Sequence, residues 1–168
     1  MVDTYGSYAF GFLHTTKQPE AAVAVVHNDV LPFYQARDIT VSAILTDNGR
    51  EYCGTEHHPF ELYLELNDIE HRRTKVKRPQ TNGFVERFHQ TVGNEFFSVT
   101  LRQKLYSSVD ELQQDLDTWL VHYNTERPHQ GYRNMGKRPI DTVNAYLKER
   151  ALAEPALKLL TPSVSQGG

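Results

Sequence analysis

Two acidic residues in distinctive surroundings constrain this chain more than any other feature. Asp47 ends an apolar run and opens an Asp-Asn-Gly turn, in the segment ILTDNG at residues 44–49. Glu86 follows the turn-forming segment PQTNG at residues 79–83 and precedes a run with helical spacing. A buried apolar strand delivers its last residue to the carboxyl edge of a sheet, where open α/β folds bind their ligands. The sequence therefore predicts an α/β fold with one acid at a strand end and one on a helix.

Carboxylates from two different elements suit a hard divalent cation. Mg²⁺ takes oxygen ligands and is usually held by one or two protein carboxylates. We therefore expect Asp47 and Glu86 to be ligands of Mg²⁺ or Mn²⁺. Each motif also has an ordinary interpretation, because Asp-Asn-Gly is commonly only a turn and Thr-Asn-Gly before a helix is commonly only a cap. The functional interpretation depends on both motifs occurring in one chain.

Positive charge is concentrated in one segment. The net charge of −3 taken alone argues against nucleic-acid binding, but residues 71–78 (HRRTKVKR) hold five cations and no acid. A basic run is usually a solvated face, whereas beside a pair of metal-type acids it indicates contact with a phosphate backbone. The expected DNA-contacting residues are these five cations and three side chains close to Glu86: Arg72, Arg73, Lys75, Lys77, Arg78, Asn82, Arg87 and Gln90.

Length and composition are those of an ordinary globular protein. The chain has 168 residues, of which 39% are hydrophobic, so it can bury one core. The single cysteine, Cys53, allows no intramolecular disulfide and suits a reducing compartment, so we expect a cytoplasmic protein. No apolar run is long enough to span a bilayer and the amino terminus has no signal segment, so we expect no membrane association.

The first half of the chain alternates strand and helix signals. We expect two short strands around a turn at residues 4–7, and then a helix opened by Pro19 and kinked or ended by Pro32. A continuously apolar strand is expected at residues 40–46, in a central and parallel position. A short helix near residues 59–66 and a strand near residues 69–73 complete this half.

The second half of the chain is expected to be helical. From Phe84 the apolar residues fall at spacings of three and four, which leaves Glu86 off the apolar stripe. Ser108 and Glu111 form a capping box at the start of a further helix. Residues 151–168 end in Ser-Gln-Gly-Gly and are expected to be a frayed tail. We therefore predict a core at residues 1–145 and a carboxyl-terminal tail at residues 146–168.

The order of these motifs resembles the catalytic core of integrases and insertion-sequence transposases. That family carries a Thr-Asp-Asn-Gly-x-Glu-Tyr/Phe segment around its second acid, which is similar to TDNGREY at residues 46–52. Its third acid follows a Pro-Gln-x-Asn/Gln-Gly segment, similar to PQTNG before Glu86. The 38 residues between Asp47 and Glu86 slightly exceed the usual family spacing. A family-like segment, YNTERPH, also occurs at residues 123–129, where we favour a structural role.

The resemblance implies a ribonuclease-H-like mixed sheet flanked by helices, with an Asp-Asp-Glu triad that binds two divalent cations. It implies DNA transposition or integration by metal-dependent strand cleavage and strand transfer, with transposon ends and target DNA as partners and a homo-oligomer as the full-length form. In such a fold Asp3 is a turn residue at the far end of the sheet from Asp47. We therefore expect the first strand, which carries the first acid, to be missing through amino-terminal truncation.

Two other functions remain open from the sequence. The chain could be a non-catalytic DNA-binding or oligomerisation remnant of a transposase, or a nuclease of the same fold that cuts without joining. A zinc site at Cys53, His57 and His58 is a further, minor alternative, because one cysteine in an acidic loop is a poor zinc signature.

Overall fold

The computed structural model of the chain describes residues 1–54, 56–74 and 83–160. Its first feature is a tight hairpin, in which Val2 and Ala9 form an antiparallel bridge. Asp3 donates its backbone N–H to the carbonyl of Tyr8 at 2.8 Å, and a turn covers residues 4–6. The hairpin predicted from the sequence is therefore present, although its two strands are reduced to a single bridge.

A long helical segment follows the hairpin and passes through a proline. Helix α1 (Pro19–Val25) continues through a π-helical turn (Val26–Val30) into helix α2 (Leu31–Gln35). Pro32 does not end the helix. The irregularity lies in the π-helical turn immediately before it, because the wider turn tolerates the absence of one backbone N–H group.

Two parallel strands joined by a helix form the sheet. Strand β1 (Ala43–Thr46) pairs along its length with strand β2 (Glu70–Arg73), and helix α3 (Pro59–Leu66) connects them. The buried side chains of Phe60 and Leu64 fix α3 to the sheet. The predicted order of strand, helix and parallel strand is confirmed.

Within residues 1–54, 56–74 and 83–160, strand β1 has a strand partner on one side only. The carbonyl of Ser42 accepts the N–H of Glu70, and the carbonyl of Thr46 accepts the N–H of Thr74. The backbone groups of Ala43 and Leu45 therefore point to the opposite edge of β1. Within the described part of the chain no strand pairs with that edge, and Leu45 is 37% exposed there. Among the described residues β1 is therefore an edge strand, and the expected central position is not found.

The apolar stripe that begins at Phe84 forms a second interrupted helix. Helix α4 (Gly83–Val92) runs through a π-helical turn (Gly93–Phe97) into helix α5 (Ser98–Gln103). The middle of the predicted stripe is buried and its ends are not. Phe88, Val92 and Phe96 are buried, Val85 is half-buried and Val99 is exposed.

Helix α6 (Val109–Thr125) begins at the cap that the sequence predicts. Ser108 Oγ accepts the backbone N–H of Glu111 at 3.2 Å. The carboxylate of Glu111 accepts the backbone N–H of Ser107 at 3.0 Å, one residue earlier than in an ideal capping box. The buried face of α6 packs against α4 through Leu116 and Tyr123.

Helix α7 (Pro139–Leu160) extends further than expected. Residues 151–160 continue this helix, so the prediction of a frayed tail is wrong for them, and residues 161–168 lie outside the described residues. Alanine, leucine, glutamate and lysine dominate residues 147–160 and favour helix. The predicted boundary between core and tail at residue 145 stays a prediction. Among the described residues, no helix is long and apolar enough to cross a membrane.

Two apolar clusters hold these elements together. One cluster joins the hairpin to α4 and α6, and its buried members are Ala9, Phe88, Val92, Phe96, Leu116, Leu120 and Tyr123. The other joins the helical segment at residues 19–35 to α3 and the strands, and its buried members are Val26, Leu31, Phe60, Leu64 and Ile69.

Candidate functional site

Asp47 lies at the carboxyl end of strand β1, as the sequence predicts. Its side chain is exposed, and its Oδ1 accepts the backbone N–H of Gly49 at 2.9 Å. The next residue, Asn48, donates its side-chain amide to the carbonyl of Thr74 at 3.3 Å. Because Thr74 follows strand β2, the loop that carries Asp47 is attached to the ends of both strands. The carboxylate is therefore presented to solvent from a fixed backbone.

A second carboxylate lies beside Asp47. A Cβ atom on Gly49 would be 2.9 Å from Asp47 Oδ1 and 2.7 Å from Glu51 Oε2, so the two carboxylates flank the same glycine. A Cβ atom there would displace the carboxylates, because both distances are shorter than real Cβ contacts. In the sequence, Glu51 is only one residue of the motif at residues 46–52, and no local pattern indicates it as a candidate ligand. Only the folded loop brings these two side chains together.

Asp47 and Glu51 both affect the pKa of the next residue in the loop, Tyr52. Tyr52 is half-buried against Phe60, with ring centroids 5.3 Å apart. Burial raises the pKa of Tyr52, and the nearby charges of Glu51 and Asp47 raise it further. The phenol therefore stays protonated beside the two carboxylates at neutral pH.

Glu86 lies in the first turn of α4 and is exposed, as are Arg87 and Gln90. The opposite face of the helix carries the buried Phe88. This arrangement is what the apolar stripe predicts, with Glu86 facing away from the core. The polar face of α4 therefore holds the predicted acid and two of the predicted DNA contacts.

A groove of about 310 Å³ brings α4 and the Asp47 loop together. Its lining includes Glu51 and Tyr52 from the loop and Phe88 and His89 from α4, together with residues 10–14 after the hairpin. Glu86 lies on this same helix, three residues before His89. The loop and the helix that carry the two predicted acids are therefore neighbours.

Asp3 uses its carboxylate within its own turn. Its Oδ1 accepts the backbone N–H of Tyr5 at 2.9 Å and its Oδ2 accepts that of Gly6 at 2.7 Å. Gly6 in turn approaches the first residue of α7, because a Cβ there would lie 3.4 Å from the carbonyl of Pro139. The expectation that Asp3 is a turn residue is confirmed.

The two described arginines of the basic run are exposed on β2 and are paired with acids. Arg72 Nη2 lies 2.5 Å from Glu70 Oε2, and Arg73 contacts the carboxylate of Glu61. Exposed pairs of this kind contribute little to stability and are screened by salt, so the arginines can exchange these partners for phosphate. The other predicted contacts of this region lie outside the described residues: Lys75, Lys77, Arg78 and Asn82.

Zinc ligation by the loop is not indicated by the geometry. Cys53 donates its thiol to the carbonyl of Gly49 at 3.4 Å, and His58 Nε2 lies 3.0 Å from the carbonyl of Arg50. His57 is exposed. In residues 1–54, 56–74 and 83–160, no three histidine, cysteine or acidic side chains converge as a metal-ligand group. Any cation at Asp47 would therefore complete its shell with water or with a bound partner.

These features are similar to those of one class of protein, the integrase-type catalytic core. Residues 67–136 match the family model described as Integrase core domain. This match confirms the resemblance to integrases and transposases.

Two proteins are similar in sequence to most of this chain. ORF3 of Spiroplasma virus SpV1-C74, assigned as an integrase, is 28% identical over 137 residues, which are 76% of this chain and 37% of the relative. The transposase InsD for insertion element IS2A/D/F/H/I/K of Escherichia coli is 30% identical over 109 residues, which are 64% of this chain and 31% of the relative. The chain therefore spans well under half the length of these two relatives.

Two solved structures share the fold. The catalytic core domain of BIV integrase superposes with a TM-score of 0.62 at 17% identity and covers 89% of this chain and 86% of its own. The simian T-cell lymphotropic virus intasome in complex with PP2A regulatory subunit B56 gamma gives a TM-score of 0.57 at 19% identity, over 81% of this chain and 44% of that one. The predicted ribonuclease-H-like fold is thereby confirmed.

Proposed function

We propose that this chain is part of a DNA integrase or transposase core and acts in metal-dependent cleavage and strand transfer of DNA. The observation that carries the proposal is the position of Asp47, which is exposed at the carboxyl end of a parallel strand beside Glu51. The family match over residues 67–136 and the relatives named as integrase and transposase support it.

The donor atoms near Asp47 fit a hard divalent cation. Asp47 and Glu51 offer carboxylate oxygens only, and Glu86 offers a third carboxylate on the neighbouring helix. Mg²⁺ and Mn²⁺ prefer such ligands and keep several waters, whereas zinc sites favour nitrogen and sulfur. Asp47 and Glu86 would hold the metal, with Glu51 beside them. When bound, a pair of such ions activates the attacking oxygen and stabilises the leaving oxygen of the phosphodiester.

The residues around these acids would position the DNA. Arg72 and Arg73 extend from β2, whose end is joined to the Asp47 loop through Thr74. Arg87 and Gln90 lie on the exposed side of α4 with Glu86. Positive side chains on both sides of the carboxylates would neutralise backbone phosphates and hold one of them at the metal. Transposon ends, target DNA and further copies of the chain are the proposed partners.

A non-catalytic role in DNA binding or oligomerisation is the second candidate. It is favoured by Asp3, whose two carboxylate oxygens are already occupied by backbone N–H groups. Under the main proposal the first acid of the triad is therefore not Asp3, and has to come from elsewhere in the active assembly. A site with an incomplete triad would bind metal and DNA but cut poorly.

Thermal unfolding with Mn²⁺ tests the proposal. A cation that binds only the folded chain stabilises it by about 2.7 kcal/mol at a concentration of about 100 times Kd. We expect this stabilisation in the wild type and in Glu65→Gln, an exposed acid of α3, and not in the Asp47→Asn, Glu86→Gln double variant. An equal shift in the double variant would disprove the metal site. Nicking of supercoiled DNA in Mn²⁺ separates the two candidates, because only the first predicts cleavage products that depend on Asp47.

A further inference from the structure

The loop that carries Asp47 lies against two histidine rings, of which His58 is buried and His71 is mostly buried. His71, on strand β2, places its Nε2 atom 2.9 Å from Thr46 Oγ1. The Thr46 hydroxyl donates to the main-chain carbonyl of Asp47 at 2.8 Å. His58, immediately before α3, places its Nε2 atom 3.0 Å from the carbonyl of Arg50. One ring therefore holds the start of the loop and the other holds its middle.

The partners of the two rings fix where their protons lie. A carbonyl only accepts, so His58 must donate from Nε2 to Arg50. The Thr46 hydroxyl has one proton, which it gives to the carbonyl of Asp47, so His71 must also donate from Nε2. Each ring therefore carries a proton on the nitrogen that faces the loop. Burial, and then the charge of His58, lower the pKa of His71 and favour its neutral form.

Each ring leaves one polar atom buried without a hydrogen-bond partner, which is unfavourable. The Nδ1 atoms of His58 and His71 are buried without a hydrogen-bond partner, and Glu61 Oε1 is 3.5 Å from the second of them. The ring of His71 packs edge-on against Phe60, with centroids 5.5 Å apart. An apolar ring in either place would avoid the desolvated nitrogen. The hydrogen bond to the loop is what a histidine provides here and an apolar ring does not.

We propose that His58 and His71 are positioning residues, which hold the loop of residues 46–51 in the geometry that binds a divalent cation. This inference rests on the proposed metal function of Asp47. Each histidine acts from behind the loop, through Thr46 or through the carbonyl of Arg50, and neither ring is a ligand. Groups that orient metal ligands in this way typically change metal affinity by about tenfold or more when they are removed.

Conservative substitutions distinguish a role of the histidines in positioning the loop from a role in filling space. Glutamine places its amide nitrogen close to the Nε2 position of histidine and can still donate, whereas asparagine is too short to reach the loop. We expect His58→Asn and His71→Asn to weaken Mn²⁺ binding by about tenfold, and the corresponding glutamine variants to restore most of it. Affinity is measured on the full chain from the electron paramagnetic resonance signal of free Mn²⁺, and stability without metal is measured by urea unfolding.

The chain offers a matched control for the loss of a buried histidine. His129 is buried and makes the same kind of ring-to-carbonyl contact, from Nε2 to the carbonyl of Tyr123 at 3.1 Å, outside the loop. His129→Asn should lower stability and leave Mn²⁺ affinity unchanged. Thr46→Val removes the link between His71 and Asp47 with little change of shape, and should weaken Mn²⁺ binding as His71→Asn does. This variant replaces His71→Asn if the latter does not fold.

The outcomes distinguish this inference from the proposed function. If Asp47→Asn abolishes Mn²⁺ binding while His58→Asn, His71→Asn and Thr46→Val bind like the wild type, the positioning role is wrong and the metal site stands. If the asparagine variants and His129→Asn lose affinity in proportion to their stability, the histidines are merely structural and the inference is also wrong. If the wild type binds no Mn²⁺, or Asp47→Asn binds it equally well, both proposals fail together.

Discussion

Asn124 pairs with Ala9 as a neighbouring strand would. Its side-chain Oδ1 accepts the backbone N–H of Ala9 at 2.8 Å, and its Nδ2 donates to the carbonyl of Ala9 at 2.8 Å. Gln113, three turns earlier on α6, accepts the N–H of Leu13 at 2.7 Å and donates to the carbonyl of Gly11 at 3.2 Å. Two amides on one helix therefore satisfy the backbone edge that leads out of the hairpin.

The rest of the segment at residues 123–129 has a structural role of the same kind. Arg127 forms two hydrogen bonds to the carboxylate of Glu95, at 2.8 and 2.6 Å, and so joins the end of α6 to the π-helical turn after α4. His129 packs its ring edge-on against Tyr123, with centroids 4.4 Å apart. These contacts answer what the sequence alone left open, namely why this segment is present near the end of the core.

The first prediction concerns Asn124. Asn124→Ala leaves both backbone groups of Ala9 buried and unpaired, so we expect the free energy of unfolding to fall by about 2 kcal/mol or more. Urea unfolding measures the change. Asn144→Ala, on the exposed face of α7, is the matched control and should leave stability nearly unchanged. A loss of less than about 0.5 kcal/mol in Asn124→Ala would contradict the pairing described here.

The second prediction uses two glycines with opposite surroundings. Gly49→Ala forces the carboxylates of Asp47 and Glu51 apart, so we expect it to weaken Mn²⁺ binding with little change in stability. Gly93→Ala meets no atom within 4 Å in a helical turn, so we expect it to add about 0.5–1 kcal/mol of stability and to leave Mn²⁺ binding unchanged. Calorimetric titration and urea unfolding give the two quantities. Equal Mn²⁺ affinity in both variants would count against close placement of the carboxylates.

Some of these features could be predicted from the sequence and others could not. Pro19 and Pro59 start their helices where expected, and Ser108 caps α6, because such signals act within one turn of the chain. The contact between Asn124 and Ala9 joins positions 115 residues apart, and no local pattern encodes it.

The candidate site shows the same division. The position of Asp47 at a strand end follows from the local apolar run, whereas its proximity to Glu51 depends on how the loop closes around Gly49. The helix through Pro32 was also beyond local reasoning, because the π-helical turn that precedes the proline is stabilised by packing of the buried Val26 and Val30.

The third prediction concerns DNA binding by the arginines of β2. If Arg72 and Arg73 contact phosphates, log affinity should fall with log salt by about 0.9 per contact, and Arg72→Ala or Arg73→Ala should reduce that slope by about one for all sequences alike. Because both arginines are paired within the chain, Glu70→Gln should free Arg72 and strengthen binding at low salt. Fluorescence anisotropy at several salt concentrations measures the slopes. Arg102, an exposed residue of α5, provides the control variant Arg102→Ala. An equal effect of this variant on the salt slope would show that DNA binding is not confined to the arginines of β2.

The fourth prediction concerns pH. Burial lowers the pKa of His129 below its ordinary value of 6.5. The unfolded chain therefore binds a proton at this histidine more readily than the folded chain does. The stability that neutral His129 contributes is present above about pH 6.5, and it is lost as the pH falls through the lower pKa of His129 in the folded chain. His129→Gln should reduce the loss of stability between pH 7.5 and 5.5, as measured by urea unfolding. His71 has a pKa shifted in the same direction, so part of the loss should remain. An unchanged pH dependence in His129→Gln would be evidence against this assignment.

The last prediction separates Asp3 from the metal site. Asp3 Oδ1 and Oδ2 accept the N–H groups of Tyr5 and Gly6, so Asp3→Asn should lower stability by about 1 kcal/mol through the loss of one acceptor. Because this carboxylate serves its own turn, Mn²⁺ affinity and any nicking of supercoiled DNA should be the same in Asp3→Asn as in the wild type. Asp47→Asn should abolish both. We expect nicking by this chain to be slow, because each 1.36 kcal/mol of lost transition-state stabilisation costs about a factor of ten in rate and one acid of the triad is not supplied by Asp3. Rapid cleavage that disappears in Asp3→Asn would instead identify Asp3 as the first catalytic acid.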